Sequence, residues 1–369
     1  MLQLKYTNKE EQKMSRLFMK GCEAIAEAAV RAGCRFFAGY PITPQNEIPE
    51  YFARRMPEVG GIFVQGESEV ASISMVYGAG STGTRAMTSS SSCGISLKSE
   101  GISYCASARI PMVFANISRG GPGVGSIHPA QQDYFQATKA SGNGGFEMLV
   151  FAPATVQEAI DMTYQAFDYA QRDRNPVLIL CDGVIGTMME PVVLPEMKTE
   201  EEVAALKDAN KEWACIGHSK DVKRGWIEPG HWRGQEDANI ECAALYASWD
   251  KDVQVEEYLV EDAQIVIAAY GISARVAKSA IDLLRREGIK VGLIRPITVH
   301  PFPYASFEKL DYSRVKAILD VEMSIPAQLI YDVKQGVKDR CPVETCLRSG
   351  GQIISRDAVL AAVRKLNGK

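Results

Sequence analysis

Tyr40-Pro41-Ile42-Thr43-Pro44, preceded by Gly39, constrains the fold of this chain more than any other segment. An apolar run over residues 35–38 enters it as a strand, and the polar Gln45-Asn46-Glu47 opens a helix after it. Proline fixes its own φ and biases the residue before it toward extended backbone. Pro41 and Pro44 therefore hold Thr43 at the C-terminal end of a strand. In open α/β sheets that edge is where ligands bind.

The surrounding pattern repeats this strand–turn–helix unit. A helical pattern over 15–32 carries Ala24, Ala28, Ala29 and Ala32 on one face and stops at Gly33. Strands are predicted at 62–65, 85–88, 111–117, 149–152 and 177–181. Ser68 caps a helix rich in Ala, Ser and Gly, which should pack close against a neighbour, and an amphipathic helix covers 156–172. The alternation predicts an α/β fold with a parallel sheet covered on both faces. Composition changes after Pro191: residues 193–258 hold Trp213, Trp226, Trp232 and Trp249 with little period-2 or period-3.6 order, and are read as a connector. A second α/β unit begins near 259. It has strands at 264–270, 290–295 and 317–320, a turn at Gly271-Ile272-Ser273, and a helix over 274–287. A closing helix carries the stripe Val359, Leu360, Val363 and Leu366. The expected division is thus 14–192, 193–258 and 259–369.

The length of 369 residues suits two or three domains, and 46% hydrophobic with 23% charged residues suits a soluble globular protein. A net charge of −4 lacks the basic footprint of nucleic-acid binding. No apolar core of signal-peptide type and no membrane span is present in the pattern, and residues 1–13 read as a polar, loosely ordered lead-in. The nine cysteines include no CxxC pair. That usage fits reduced thiols in the cytoplasm, and argues against an iron–sulfur cluster on this chain.

Three further segments fall at strand-to-helix turns. Glu67-Ser68-Glu69 begins a helix; such carboxylates are usually caps or dipole partners. Among small apolar neighbours, however, a carboxylate is desolvated, its pKa rises, and it is suited to sharing a proton with a ring nitrogen. Ser89 to Ser92, before Cys93-Gly94, is either a polar loop or a set of hydroxyls on the ligand edge. Arg119 precedes a glycine loop, Gly120-Gly121-Pro122-Gly123-Val124-Gly125. It is either a surface arginine or a two-oxygen clamp for a carboxylate. The proline corner itself could be a rigid connection with no chemistry. Two decoys are set aside. Gly78–Gly83 matches GxGxxG, but a helix precedes it and a strand follows, the reverse of a dinucleotide site. Cys215, His218, His231 and Cys242 are too irregularly spaced for zinc. His128 either faces substrate or makes a structural hydrogen bond.

The segments GYPITPQNEIPEY, QGESEVASISMVYGA, TSSSSCGISLKSEGISY, NISRGGPGVGSIHPAQQDYFQATK, FAPATVQEA and GLIRPITVHPFP carry a resemblance. With them, the chain resembles the α-type subunit of thiamine-diphosphate-dependent 2-oxoacid:ferredoxin oxidoreductases, closest to the branched-chain 2-oxoisovalerate group. The resemblance implies a pyrimidine-binding domain followed by a transketolase C-terminal-like α/β domain. It implies oxidative decarboxylation of a 2-oxoacid to an acyl-CoA with reduction of ferredoxin, a 2-oxoglutarate enzyme or a non-catalytic assembly subunit being the alternatives. Glu69 matches the glutamate that bonds N1′ of the aminopyrimidine, with Glu67 as competitor; Thr43 and Arg119 match the pair that holds the substrate carboxylate. The candidate catalytic residues are then Glu69, Thr43 and Arg119. The cofactor contacts are Tyr40, Pro41, Ile42, Thr43, Glu69 and Ser90, with no metal ligand on this chain. At His128, where relatives carry glutamine, acyl selectivity stays open. Cys181-Asp182-Gly183 lacks the asparagine of a GDG…N diphosphate signature, so the diphosphate and Mg²⁺ are expected on a β-type partner chain. Gamma-type and ferredoxin-like subunits, iron–sulfur clusters on those partners, external ferredoxin, and coenzyme A complete the implied assembly.

Overall fold

The computed structural model describes residues 16–139, 141–217 and 234–368. The expected lead-in over 1–13, and Trp226, Trp232, His218 and His231, lie outside them. Among the described residues, seven strands form the first sheet. Their order is Thr298–His300, Leu149–Phe151, Val177–Asp182, Val113–Ser118, Ala86–Ser90, Phe36–Gly39 and Ile62–Gln65. Neighbours are parallel except Thr298–His300, which runs antiparallel to Leu149–Phe151.

Alternation along these strands builds two cores. Phe37, Met87, Val113, Ala115, Leu149, Val177 and Ile179 face the helices Gly21–Arg31, Glu47–Arg55 and Val156–Asp173. Ala38, Ala86, Phe114, Val150, Leu178 and Leu180 share the other core with Ile73 and Val76 of the helix Glu69–Ser81, Ile95 and Ile102 of the helix Cys93–Ser107, and Tyr134 and Tyr270. Each large apolar side chain so buried contributes about 1.5–3 kcal/mol. The second pair of helices lies close because of glycine: a Cβ on Gly101 would come within 2.5 Å of Ile73.

A second sheet has the order Val343–Leu347, Ala317–Glu322, Ile265–Ala268, Val291–Pro296 and Val255–Tyr258 among the described residues. Its last strand is antiparallel to its neighbour. The two sheets exchange chain: Thr298–His300 leaves the second unit to join the edge of the first sheet. Polar contacts fasten the junction. Buried Gln131 donates from Nε2 to Tyr270 O at 2.9 Å and accepts from Ser273 Oγ at 2.7 Å. Arg295 bonds both oxygens of Glu158, at 2.8 and 2.9 Å. Asp182 accepts from Ile272 N at 2.8 Å and from Val184 N and Ile185 N. Burial pushes its carboxyl up to about 6, against those backbone donors. Its carboxylate is thus spent on two helix N-termini.

Several elements differ from the sequence reading. The helix expected from residue 15 starts at Gly21, and Leu17–Lys20 is a strand paired with Met189–Val192. Its partner lies far along the chain, where a local pattern cannot register it. Gly271-Ile272-Ser273 is the first turn of the helix Gly271–Arg286, with Asp182 bonding its Ile272 N–H from the other unit. The 193–258 stretch contains the helices Glu200–Asp208 and Gln235–Ala247, and its Val255–Tyr258 belongs to the second sheet. The first of these helices buries no residue and the second buries only Tyr246, so neither shows an apolar stripe. Among the described residues, no helix is long and apolar enough to cross a membrane.

Candidate active site

The proline corner follows the strand Phe36–Gly39 at the C-terminal edge of the first sheet. Tyr40, Pro41 and Thr43 are exposed and Ile42 is half-buried. Buried Gln45 fastens the corner: Nε2 donates to Tyr40 O at 3.2 Å, and Oε1 accepts from Ser89 Oγ at 2.5 Å. Thr88 Oγ1, on the adjoining strand, donates to Ala38 O at 2.7 Å. The corner and the serine run are therefore laced together. Ser89 and Ser90 end the strand Ala86–Ser90, Ser91 and Ser92 make the turn, and Cys93 starts a helix. The hydroxyls of Ser90 and Ser91 are buried and have no partner among the described residues.

Glu69 opens the helix Glu69–Ser81, whose N-cap is Ser68; Ser68 Oγ accepts from Ala71 N at 3.1 Å. Glu69 is only 5% exposed, whereas Glu67 is exposed and accepts from Ser68 Oγ. Burial thus distinguishes Glu69, which the Ser68-Glu69 step favours, from its competitor Glu67. The Glu69 carboxylate faces Gly94 and Ser90: a Cβ on Gly94 would overlap Ser90 Oγ and lie 2.7 Å from Glu69 Oε1. Among the described residues, the side chain that bonds Glu69 is Lys98, and it bonds the backbone oxygen. No donor to the carboxylate itself is found among the described residues. A largely buried acid so placed is open to a donor brought from outside.

Lys98 is fully buried on the helix Cys93–Ser107, and the sequence reading passed over it. Nζ donates to Thr88 Oγ1 at 2.9 Å and approaches Glu69 O at 3.5 Å. Burial pushes the ammonium down to about 7, and the Glu69 charge opposes that shift. The signal was legible: Lys98 falls on the inward stripe Ile95, Ile102 and Cys105.

Arg119 is 6% exposed and joins three segments. Nη1 donates to Thr43 O at 2.7 Å; Nη2 donates to Val124 O at 2.9 Å and to Cys93 Sγ at 3.1 Å. Nε is buried and has no partner among the described residues. The fork thus grips the Thr43 carbonyl rather than its hydroxyl, and spends most of its donors inside the chain. Behind it lies a polar cluster that the sequence also left unread. Asp133 Oδ2 accepts from Ser92 Oγ at 2.6 Å, Ser118 Oγ at 2.7 Å and Asn116 Nδ2 at 2.9 Å. Burial pushes the Asp133 carboxyl up, against these bonds and the Arg119 charge. The cluster holds Ser92 at φ 39°, left-handed backbone that costs of order 1–3 kcal/mol for a serine. The glycine loop needs glycine at Gly125, where φ is 58° and a Cβ would overlap Gly120 O. His128 is exposed and backed by Gly351 of the second unit.

Tyr40 to Thr43, Glu69, Ser90 and Arg119 therefore meet on one sheet edge, around the N-terminus of the helix Cys93–Ser107. Two of the four residues of the rejected zinc set, Cys215 and Cys242, lie among the described residues, which hold no cluster suited to a metal ion. Gly94→Ala tests the closeness of this packing. The added methyl pushes on the Glu69 and Ser90 side chains rather than on backbone. The expected stability cost is about 1–3 kcal/mol, together with a loss of turnover of at least about tenfold. Thermal unfolding and steady-state rates measure the two effects separately.

A doubly covered parallel sheet, a second α/β unit sharing a strand with it, and a buried acid beside the corner define a class: the enzyme subunits of thiamine-diphosphate-binding fold. The model of the thiamine-diphosphate-binding domain of pyruvate flavodoxin/ferredoxin oxidoreductase matches residues 27–253; that of pyruvate:ferredoxin oxidoreductase core domain II matches residues 263–359. The chain belongs to this pyruvate flavodoxin/ferredoxin oxidoreductase family and is an oxidoreductase subunit. Ketoisovalerate oxidoreductase subunit VorB of Methanothermobacter marburgensis is 43% identical over 361 residues, 96% of this chain and 99% of that protein. 2-Oxoglutarate synthase subunit KorA of Methanocaldococcus jannaschii is 35% identical over 356 residues, 91% and 96% of the two chains. The 2-oxoglutarate:ferredoxin oxidoreductase of Magnetococcus marinus, solved with 2-oxoglutarate, coenzyme A and succinyl-CoA, superposes with a TM-score of 0.81 at 23% identity. That match covers 97% of this chain and 66% of the other, and at this identity it speaks for the fold alone.

Proposed function

We propose that this chain is the pyrimidine-binding subunit of a branched-chain 2-oxoacid:ferredoxin oxidoreductase that forms acyl-CoA. The observation that carries the reading is Glu69, only 5% exposed, whose carboxylate meets no donor among the described residues and stands beside a glycine and a buried serine hydroxyl that has no partner among them either. This environment fits an aminopyrimidine edge. Thiamine diphosphate, when bound, supplies the carbon nucleophile and electron sink that decarboxylation of a 2-oxoacid requires. Glu69 holds the proton shared with the ring nitrogen; Ser90, Tyr40, Pro41 and Ile42 line the ring. Arg119 and Thr43 orient the substrate carboxylate, through the Arg119 Nε and the Thr43 hydroxyl.

The diphosphate and Mg²⁺ belong to a β-type partner chain in this reading, because Asp182 has its carboxylate committed to the junction between the units. The exposed corner is the face that partner covers. Gamma-type and ferredoxin-like subunits carry the iron–sulfur clusters and pass electrons to external ferredoxin, in the cytoplasm. Residues 14–192 act as the pyrimidine domain, 193–258 as the connector and 259–369 as the transketolase C-terminal-like domain. A branched-chain substrate is supported by the 43% identity to a ketoisovalerate enzyme subunit. It is also supported by the glycine loop, which exposes Val124 and Ile127 and carries no Lys or Arg over 120–127 for a second carboxylate.

The test is to purify the chain with its partner subunits and follow viologen reduction with coenzyme A across a panel of 2-oxoacids. The expected result is activity with the oxoacids of valine, leucine and isoleucine, and none from this chain alone. Preference for 2-oxoglutarate would overturn the substrate assignment; turnover by the solitary chain would overturn the divided site.

A further inference from the structure

We propose that Lys98 is a positioning residue for the thiamine pyrimidine: its buried amine, set against the start of the Glu69 helix, governs how Glu69 meets the ring nitrogen. The inference deepens the reading of Glu69 given above and rests on it.

Lys98 is wholly buried, yet its two polar contacts are neutral oxygens, Thr88 Oγ1 at 2.9 Å and Glu69 O at 3.5 Å. Lysine is costly in such a place, and methionine or leucine would complete the stripe of Ile95, Ile102 and Cys105 without that cost. A lysine kept only to brace the helix would be paired with a carboxylate; this one has no ion pair among the described residues. Among the described residues, Glu69, on the helix packed across from it, is the ionisable group whose charge acts on it. The strand Ala86–Ser90 contributes hydroxyls and no charge, and Glu100, on the same helix as Lys98, is exposed.

Burial brings the Lys98 ammonium down to about 7, and the Glu69 charge holds it up against that shift. A proton shared between Glu69 and a ring nitrogen cancels the negative charge that supports the ammonium. Nζ then releases its proton. One N–H bond breaks at Nζ, one proton is held at the Glu69–ring contact, and no electrons are exchanged. Because the bound state holds fewer protons at Lys98, binding to the native protein gains from rising pH relative to a protein without the amine.

The experiment is calorimetric titration of the assembled complex with thiamine diphosphate and Mg²⁺, from about pH 6 to about pH 8, for the native protein, Lys98→Met, Thr88→Val and Glu69→Gln. The dissociation constant of Lys98→Met relative to native is expected to rise about tenfold across that window and then level off. Thr88→Val removes the hydroxyl that accepts from the amine and moves the native transition to lower pH; it carries the test if Lys98→Met fails to assemble. Identical pH profiles for the native protein and these variants overturn the proposal. Glu69→Gln separates the two readings. If it weakens binding while the profiles coincide, only the role of Lys98 falls. If it binds as tightly as native, the role of Glu69 falls and this inference with it.

Discussion

Glu69→Gln is expected to lower oxo-acid turnover in the assembled complex by about 10²- to 10⁴-fold, the range that a positioned acid–base group contributes. The substitution is nearly isosteric, and it removes no hydrogen bond to the carboxylate from the described residues. The helix keeps its cap, because Ser68 Oγ accepts from Ala71 N whatever the charge at the next position. The lost interaction of a carboxylate with the helix N-terminus is worth about 0.3–1 kcal/mol. Nor does the change strand a buried cation: Lys98, already lowered to about 7, sheds its proton once the Glu69 charge is gone. An unchanged unfolding temperature beside a collapsed rate in the viologen assay is the expected pair of results. A rate within a few-fold of native would mean that the buried acid has no part in the chemistry.

The features that make this prediction possible were unevenly legible in the sequence. The proline corner, the acid at the next helix start and the arginine after the fourth strand are local motifs, and each falls at a turn that the strand–helix alternation sets on one sheet edge. What made Glu69 rather than Glu67 the buried one was not local. It depends on Gly94, 25 positions on, whose missing Cβ leaves the carboxylate its room. Lys98 was hidden by its residue type, since a lysine within a polar-looking SLKSE run reads as a solvated face, although its spacing places it on the apolar stripe. Asn116 and Asp133 were hidden differently: they serve Ser92, which no pattern identifies as left-handed. Strands whose partners lie far away in sequence, Leu17–Lys20 and Thr298–His300, give no local period that would reveal them. The 200–208 helix, by contrast, carries a plain sequence signal, the capping box from Thr199 to Glu202.

Arg119→Lys is the second large expected effect, and it tests geometry rather than charge. The guanidinium holds the Thr43 carbonyl with one nitrogen and the glycine loop at Val124 with another. A lysine keeps the positive charge facing Asp133 but replaces a rigid fork with a single ammonium, which cannot span both carbonyls. Hydrogen bonds from a charged donor are worth about 1.5–3 kcal/mol each, so losing one of the two costs at least that much in positioning. At 1.4 kcal/mol per tenfold, the loss in kcat/KM for the 2-oxoacid is about 10- to 100-fold. Most of it should appear in KM, because the corner and the loop together bound the place of the substrate carboxylate. Thiamine diphosphate affinity, governed by Glu69 on the neighbouring helix, should move little. Equal weakening of cofactor and substrate would instead mean that Arg119 braces the whole edge. An unchanged KM would mean that the carboxylate is held elsewhere, and that the Thr43–Arg119 contact serves only to close the corner.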